Sequence, residues 1–429
     1  MSFGYKLNPS RSFKTARGIK GIRQKVRITH NPSEIDQNQL LLVGFPNLSN
    51  DDVIIPGTIN LSFNITLSSE NDKKRTLVNN ISRALVKKIA IKFDGKEIQC
   101  IDDYDVFSCY KDLWKTKYEK KNCIRKGIDA SESIKVRINA SDKDGSNEKS
   151  KIIDETYKNN FIIPLDFEML NEAAPYYQAG LENKLVYEIT FNDYNRCIIC
   201  KPEKADLKAD GKYKISDISL EYEIITHQSL ANHIQAEYQS MVLLYDKVLR
   251  QKKTILDKSD SVWNFKFNTP AKSLKGILML FEEEKDYDRD TSKFYNPKIQ
   301  KVSITVEGKP NQLFSQGMQP YEQYNEIYKY FGGGVLKDGN ASLIQKELGL
   351  SDLNIGEYLT SKFGLWLDFR TIDENQLHGS GRRIENASEG ITLYIQKKAE
   401  AKGKLNAYVY LIMDAQLNIE SGEYVSTLL

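Results

Sequence analysis

Two tandem eight-stranded jelly rolls, all-β with short helical insertions, are the fold class this sequence predicts, on three observations. The first is a strand-turn unit written twice. Residues 86–99 and 299–312 each carry alternating apolar positions (Ile89, Ile91, Phe93; Val302, Ile304, Val306) and then an acid-Gly-Lys turn, Asp94-Gly95-Lys96 or Glu307-Gly308-Lys309. The copies begin 213 positions apart (299 − 86), about half of the 429 residues, so a β-unit is duplicated. The second is strict alternation in residues 59–67, with Ile/Leu/Phe/Ile/Leu on one face and Asn/Ser/Asn/Thr on the other. That is a half-buried antiparallel strand. The third is an aromatic stretch of helical spacing between strands in each half.

The elements follow in order. Residues 1–27 hold eight basic side chains (Lys6, Arg11, Lys14, Arg17, Lys20, Arg23, Lys25, Arg27) and no acid. The apolar residues Phe13, Ala16, Ile19, Ile22 and Val26 stand three or four apart, which fits a basic amphipathic helix formed on contact, although Gly18 and Gly21 oppose a stable free helix. Two readings stand for this arm, a solvated tail or a contact with phosphate on nucleic acid or lipid head groups. Eight neutralised phosphates would give a log K against log salt slope of about −7. The body opens after Pro32. Beyond the first strand-turn, Tyr104, Phe107, Tyr110, Trp114 and Tyr118 form a helical stripe, with Asp102 or Asp103 as cap and Gly127 as stop. Such a stripe is core packing before it is a ligand site.

Ile134, Val136 and Ile138 alternate again, and residues 142–160 then turn polar, as an exposed loop does. Strands are expected at 161–165, 185–191 and 218–224, with a polar run at 201–212. From His227 to Leu244 the period becomes helical, a bridge between halves. The second half replays the order: strands at 263–267 and 276–281, an acidic loop at 282–290, the repeated strand-turn, and an aromatic helix (Tyr321, Tyr324, Tyr328, Phe331) ending at Gly332-Gly333-Gly334. A short helix at 343–353 and strands at 363–369, 391–395 and 407–413 close the chain. The expected division is an arm at 1–30, a first roll at 31–226, a bridge at 227–244 and a second roll at 245–429.

Composition limits the function. The chain is 40% apolar and 28% charged, a globular balance, and no apolar run approaches the ~20 residues of a bilayer span. No secretory signal core is visible at the N-terminus, and five cysteines show no disulfide framework, so reduced thiols of an intracellular product are expected. The net charge of +3 hides a body of −5 once the arm's +8 is removed. Of four histidines (His30, His227, His233, His378), His233 with Glu237 is an i, i+4 pair whose plain reading is a surface hydrogen bond. Cys197-Ile-Ile-Cys200 has zinc spacing but no second pair, and reads as strand-end thiols. Ser380 in His378-Gly-Ser-Gly381 lacks the strand–elbow–helix setting of a hydrolase serine, and Gly332–Gly334 lacks the Lys-Ser/Thr of a phosphate loop. No catalytic residue, cofactor or metal is expected.

Several stretches carry a family resemblance. They are Phe294-Tyr-Asn-Pro-Lys-Ile-Gln-Lys-Val-Ser-Ile-Thr-Val-Glu-Gly-Lys-Pro-Asn-Gln-Leu-Phe-Ser-Gln-Gly317, Leu377-His-Gly-Ser-Gly-Arg-Arg-Ile-Glu-Asn-Ala-Ser-Glu-Gly-Ile391 and Met413-Asp-Ala-Gln-Leu-Asn-Ile-Glu420, with Asp102-Asp-Tyr-Asp-Val-Phe107 and Ile163-Pro-Leu-Asp-Phe-Glu-Met169 in the first half. From about residue 40 onward the chain resembles the major capsid protein of Polinton/Maverick elements and adintoviruses, of the lineage that includes adenovirus hexon and virophage capsid proteins. The resemblance implies a double jelly roll and a homotrimeric, pseudo-hexameric capsomer tiling an icosahedral shell. It further implies a place in the virion after synthesis inside the host cell, and neighbouring capsomers and a minor capsid (penton) protein as partners. The polar loops 142–160, 201–212 and 282–293 would face outward or between capsomers. The arm would face inward, toward genomic DNA or an internal membrane. Two alternatives remain at this point. One is a tandem β-sandwich binding a receptor or glycan on the virion; the other is an enzyme, which the shortage of histidines weakens.

Overall fold

A computed structural model of the chain describes residues 22–45, 48–55, 57–68, 75–93, 95–115, 124–128, 160–165, 185–200, 212–237, 240–251, 254–284, 289–311, 316–332, 353–371, 381–385, 388–420 and 423–428. They form two compact units. The first takes in residues 1–100, 123–245 and 416–428, the second 101–122 and 246–415.

In the first unit the strands are β1 Ile22–Thr29, β2 Ile35–Asp36, β3 Leu40–Gly44, β4 Asp52–Ile54, β5 Asn60–Ser68, β6 Arg75–Leu77, β7 Val86–Phe93, β8 Lys96–Asp102, β9 Asn160–Pro164, β10 Leu185–Phe191, β11 Ile198–Cys200 and β12 Lys212–Thr226. One sheet runs β1-β12-β5-β9, with β2 and β4 also on β12; a second runs β3-β10-β7-β8, and β11 pairs with β6 in a two-stranded sheet. Every pairing is antiparallel. Strand alternation buries Leu61, Phe63 and Ile65 while Asn60 and Asn64 face away from the core. Tyr187, Ile189 and Phe191 do the same for the other sheet.

The later strands are β13 Ser240–Arg250, β14 Thr254–Asp257, β15 Val262–Phe267, β16 Ala271–Glu283, β17 Ile299–Val306, β18 Lys309–Pro310, β19 Leu365–Asp368, β20 Arg382–Ile384, β21 Ile391–Lys397, β22 Lys404–Glu420 and β23 Glu423–Leu428. Their sheets run β13-β22-β16-β19 and β15-β21-β17-β18. Each order repeats that of its counterpart in the first unit, with β7-β8 replaced by β17-β18. The duplicated strand-turn therefore occupies the same place in both rolls, and the chain is a double jelly roll. At the turn, Glu307 and Gly308 both have positive φ (50° and 76°), and Gly95 has φ 70°. A two-residue hairpin of this twist demands that conformation, which explains the glycine in both copies. Gly276 has a different reason: a Cβ there would lie 2.3 Å from the Trp366 ring on the neighbouring strand.

Six helices are described: α1 Ile81–Ala84, α2 Tyr104–Leu113, α3 Tyr194–Cys197, α4 Gln228–Glu237, α5 Pro320–Phe331 and α6 Ile355–Ser361. The aromatic stripe on α2 is core. Tyr110 packs edge-on to Phe294 at 5.0 Å, and Trp114 stacks on Phe331 of α5 at 6.3 Å. Such ring pairs contribute about 0.5–1.5 kcal/mol beyond burial. Asp103 stands at the N-cap of α2, with a left-handed backbone and no side-chain capping bond. Gly127 (φ 69°) ends the short 3-10 turn Ile124–Lys126 rather than α2.

Several expectations change. The helical reading of the arm fails where it can be seen, because Ile22–Thr29 is a strand of the first roll. Ile22, Val26 and Ile28 also satisfy a period of two, and pairing with β12 along eight residues decides in favour of that period. The bridge helix stops at Glu237, and Ser240 onward is strand β13. Residues 134–138, the helix expected from 343, and most of the polar loops lie outside the described residues.

Candidate interaction surfaces

The connections that the strand order brings together come first. In the first unit, β5 ends beside the start of β12 (Ser68 opposite Lys212), β9 starts opposite Asn64, and β10 ends beside the start of β7 (Phe191 opposite Val86). The β5–β7, β8–β9 and β10–β12 connections thus leave from one end of the roll, and the tight β7–β8 turn lies at the other. In the second unit, β16 ends beside the start of β22 (Glu283 opposite Leu405), and β21 ends beside the start of β17 (Lys397 opposite Ile299). The polar stretches 142–160 and 201–212 of the first unit, and 282–293 of the second, all belong to these end connections.

The edge strand β3 carries an apolar surface. Leu41 and Val43 are buried, whereas Leu40 and Leu42 are 53% and 52% exposed. β15, its counterpart in the second unit, turns Asn264 and Lys266 to solvent at the corresponding outward positions.

Three of the eight basic arm residues are described, all on β1. Arg23 hydrogen-bonds Glu223 through Nε at 2.7 Å. Arg27 hydrogen-bonds Glu221 through Nε at 2.7 Å, and Lys25 Nζ lies 3.8 Å from Glu221. Lys6, Arg11, Lys14, Arg17 and Lys20 lie outside the described residues. Glu221 sits on β12 with its side chain 2% exposed, and Arg125 reaches it with Nη1 at 2.9 Å and Nη2 at 3.1 Å. Burial pushes the Glu221 carboxyl up, but hydrogen bonds from Arg125 and Arg27 outweigh it and bring the pKa down to about 2. Arg125 comes from the short turn after α2, and the sequence gives no signal for it. Glu221 and Glu223 had one: they are acids in an otherwise apolar-alternating strand, at the spacing of the basic residues across from them.

The second unit has a cluster of the opposite sense. Lys275 on β16 is buried, with Nζ 2.6 Å from Asp246 on β13 and 3.2 Å from Asp414 on β22. Tyr330 donates to Asp246 at 3.1 Å, while Ser273 and the Gly381 N–H donate to Asp414. Burial raises the Asp414 carboxyl; the bond from Ser273 and the charge of Lys275 more than offset it, leaving the pKa below the ordinary range.

The remaining chemical candidates have structural roles. Cys197 is buried and its thiol donates to the Ala84 carbonyl at 3.6 Å. His227 Nδ1 accepts from the Leu230 N–H at the start of α4, and His30 places its ring nitrogens against the carbonyls of Leu42 and Pro32. Ser380 and His378 lie outside the described residues. Among the described residues no group of three or more His, Cys, Asp or Glu is placed to hold a metal ion. No described helix is long and apolar enough to cross a membrane.

The fold defines a class, the tandem jelly roll with matching strand order in both halves. Comparison with solved structures returns the same class along nearly the whole chain. The PBCV-1 virus capsid model matches with a TM-score of 0.61 at 12% identity, covering 96% of this chain and 98% of that one. The Faustovirus major capsid protein matches with a TM-score of 0.61 at 7% identity, covering 94% and 92%. The crystal structure of the mavirus major capsid protein matches with a TM-score of 0.52 at 12% identity, covering 100% and 95%. These are double jelly-roll major capsid proteins of giant viruses and virophages. No family model and no curated protein matches the sequence.

Proposed function

We propose that this chain is a major capsid protein, a structural subunit that self-associates into trimeric, pseudo-hexagonal capsomers of an icosahedral DNA virus shell. The observation that carries the reading is the match of both rolls, in order and over nearly full length, to capsid subunits. Three subunits of two like rolls present six like outlines, the geometry a hexagonal lattice requires. Within that lineage the sequence resemblance favours Polinton/Maverick elements and adintoviruses. The exposed Leu40 and Leu42 on β3 supply an apolar contact to a neighbouring copy. The loop-bearing ends would stand outward or between capsomers.

The partners that follow are copies of the chain, neighbouring capsomers and a minor penton protein. With Arg23, Lys25 and Arg27 engaged by Glu223 and Glu221, the inward contact with genomic DNA or an internal membrane would fall mainly to Lys6, Arg11, Lys14, Arg17 and Lys20. No catalytic step belongs to this role. Native mass measurement and negative-stain imaging of the purified chain test it. Particles of three chain masses with a hexagonal outline, or closed shells, are expected. A chain that stays monomeric at all concentrations would overturn it. Rapid proteolytic loss of residues 1–21 from intact shells would refute the inward placement of the arm.

A further inference from the structure

The face of the β1-β12-β5-β9 sheet that points away from the core is not uniformly solvated. At the bulge in β12, where Asp217 takes φ 52° and the register to β5 shifts between Ser216 and Ser219, an open cleft of about 510 Å³ is lined by Arg27, Ser62, Asn64, Arg125, Asn160, Asp217 and Ser219. Its volume is that of a small-molecule site, and bulges recur where a strand must re-aim side chains at a ligand. Two of the lining serines are buried, Ser62 at 1% and Ser219 at 7% exposed, and Glu221, which both arginines engage, is 2% exposed. Buried polar groups off the core of a sandwich are costly unless satisfied.

The cleft has two kinds of recognition chemistry. Its cations are pre-set. Arg27 engages Glu221 through Nε and Nη2, and Arg125 engages Glu221 and Asn160 through Nη1 and Nη2. Each guanidinium is therefore oriented by a buried carboxylate while keeping further N–H donors. Among the lining residues two are cations, Arg27 and Arg125, and one is an anion, Asp217. Its acceptors are unspent. Ser62 Oγ donates to the Ser219 carbonyl, and Ser219 Oγ to the Asp217 carbonyl, which leaves their oxygens to accept. Asn64 donates through Nδ2 to Asp217 at 2.6 Å, and its buried Oδ1 has no hydrogen-bond partner.

A ligand that fits must bring an oxyanion for the guanidiniums and hydroxyl donors for Asn64 and the serines. We infer that this cleft binds one residue of an acidic saccharide, its carboxylate or sulfate on Arg27 and Arg125 and its ring hydroxyls on Asn64, Ser62 and Ser219. A DNA backbone fits less well, because phosphate and deoxyribose offer acceptors only and would leave Asn64 Oδ1 unmatched. The site takes Arg27 from β1 but none of Lys6, Arg11, Lys14, Arg17 or Lys20, and its test on the purified chain does not require assembly.

Saturation-transfer NMR and titration calorimetry on the purified full chain provide that test, with four probes: sialyllactose, a sulfated heparin disaccharide, neutral lactose and a short thymidine oligonucleotide. Binding by the carboxylated or the sulfated sugar is expected, and which one binds identifies the oxyanion. Lactose should be silent. Arg125→Gln and Asn64→Leu should each weaken binding by about tenfold or more, the effect of one lost charged or buried hydrogen bond. Asn64→Leu keeps the arginine clamp intact, so it separates loss of the site from loss of the fold; an unchanged thermal midpoint for that variant is the control. The proposal is overturned by silence from both acidic sugars, by sugar binding indifferent to both variants, or by an oligonucleotide that binds as strongly as the sugars and is weakened by the same two variants.

Discussion

The two rolls share a strand order yet solve the same electrostatic problem with opposite signs. In the first, a buried carboxylate on β12 is held by cations from β1 and the turn after α2; in the second, a buried ammonium on β16 is held by carboxylates from β13 and β22. The difference lies in what surrounds the central charge. Arg27 and Arg125 are 56% and 39% exposed and reach water from their outer edges. Lys275 is 8% exposed, and its aspartates are tied in turn to Tyr330, Ser273 and a backbone N–H. The second cluster is a closed unit, the first an open one. A duplicated fold therefore need not conserve a charge pattern, only the requirement that a polar group inside a sheet face finds partners.

That contrast can be broken by mutation. The largest effect is expected for Lys275→Met, which strands two carboxylates; about 3 kcal/mol of stability should be lost in urea unfolding, the low end for a broken buried pair because Asp246 is a third exposed. Glu221→Gln should cost less, about 1–2 kcal/mol, since the released arginines are hydrated. Equal costs for the two substitutions would remove the distinction between closed and open clusters.

Acid sharpens the comparison. Glu221 titrates at about 2 in the folded chain against an ordinary value of 4.5, so the unfolded chain binds the proton more readily. Its contribution is complete above pH ~4.5 and disappears as pH falls toward 2. Thermal midpoints measured down this range should fall less steeply in Glu221→Gln than in the natural chain. If the two lines run parallel, the arginine clamp is not the source of the acid sensitivity.

Smaller effects concern the edges and turns. Replacing Leu40 and Leu42 by serine should shift the self-association midpoint in analytical ultracentrifugation to higher concentration, whereas Asn264→Ser at the polar counterpart edge should not. Gly95→Ala and Gly308→Ala should each cost about 1 kcal/mol for the positive φ. The second should cost slightly more, because its new methyl meets the Glu389 carboxylate at 3.0 Å while the first meets open space. A neutral result at either site would mean that the two turns are not equivalent.

Much of the sandwich was legible because a half-buried strand writes its two faces in alternate residues. Expected strands at 185–191 and 263–267 coincide with β10 and β15 to within a residue. The duplication was legible for the same reason, since residues 86 and 299 open β7 and β17. β1 was misread because its apolar residues fit two periods and only a partner strand chooses between them. The cap of α6 is written in the sequence too: Asn354 and Glu357, three positions apart, form a reciprocal capping pair. Arg125 was not readable at all. Its role exists only because the chain returns from α2 to a strand nearly a hundred positions further on.

In the hairpin between β7 and β8, and in its copy between β17 and β18, Gly95, Glu307 and Gly308 are committed to positive φ. No insertion fits there without unpicking the register of four strands. Lineages that vary this protein would have to add length elsewhere, most freely in the β8–β9 and β18–β19 excursions that leave from the far rim. One rim of each barrel-like wall is thereby frozen as a footing while the opposite rim stays free to acquire new shapes.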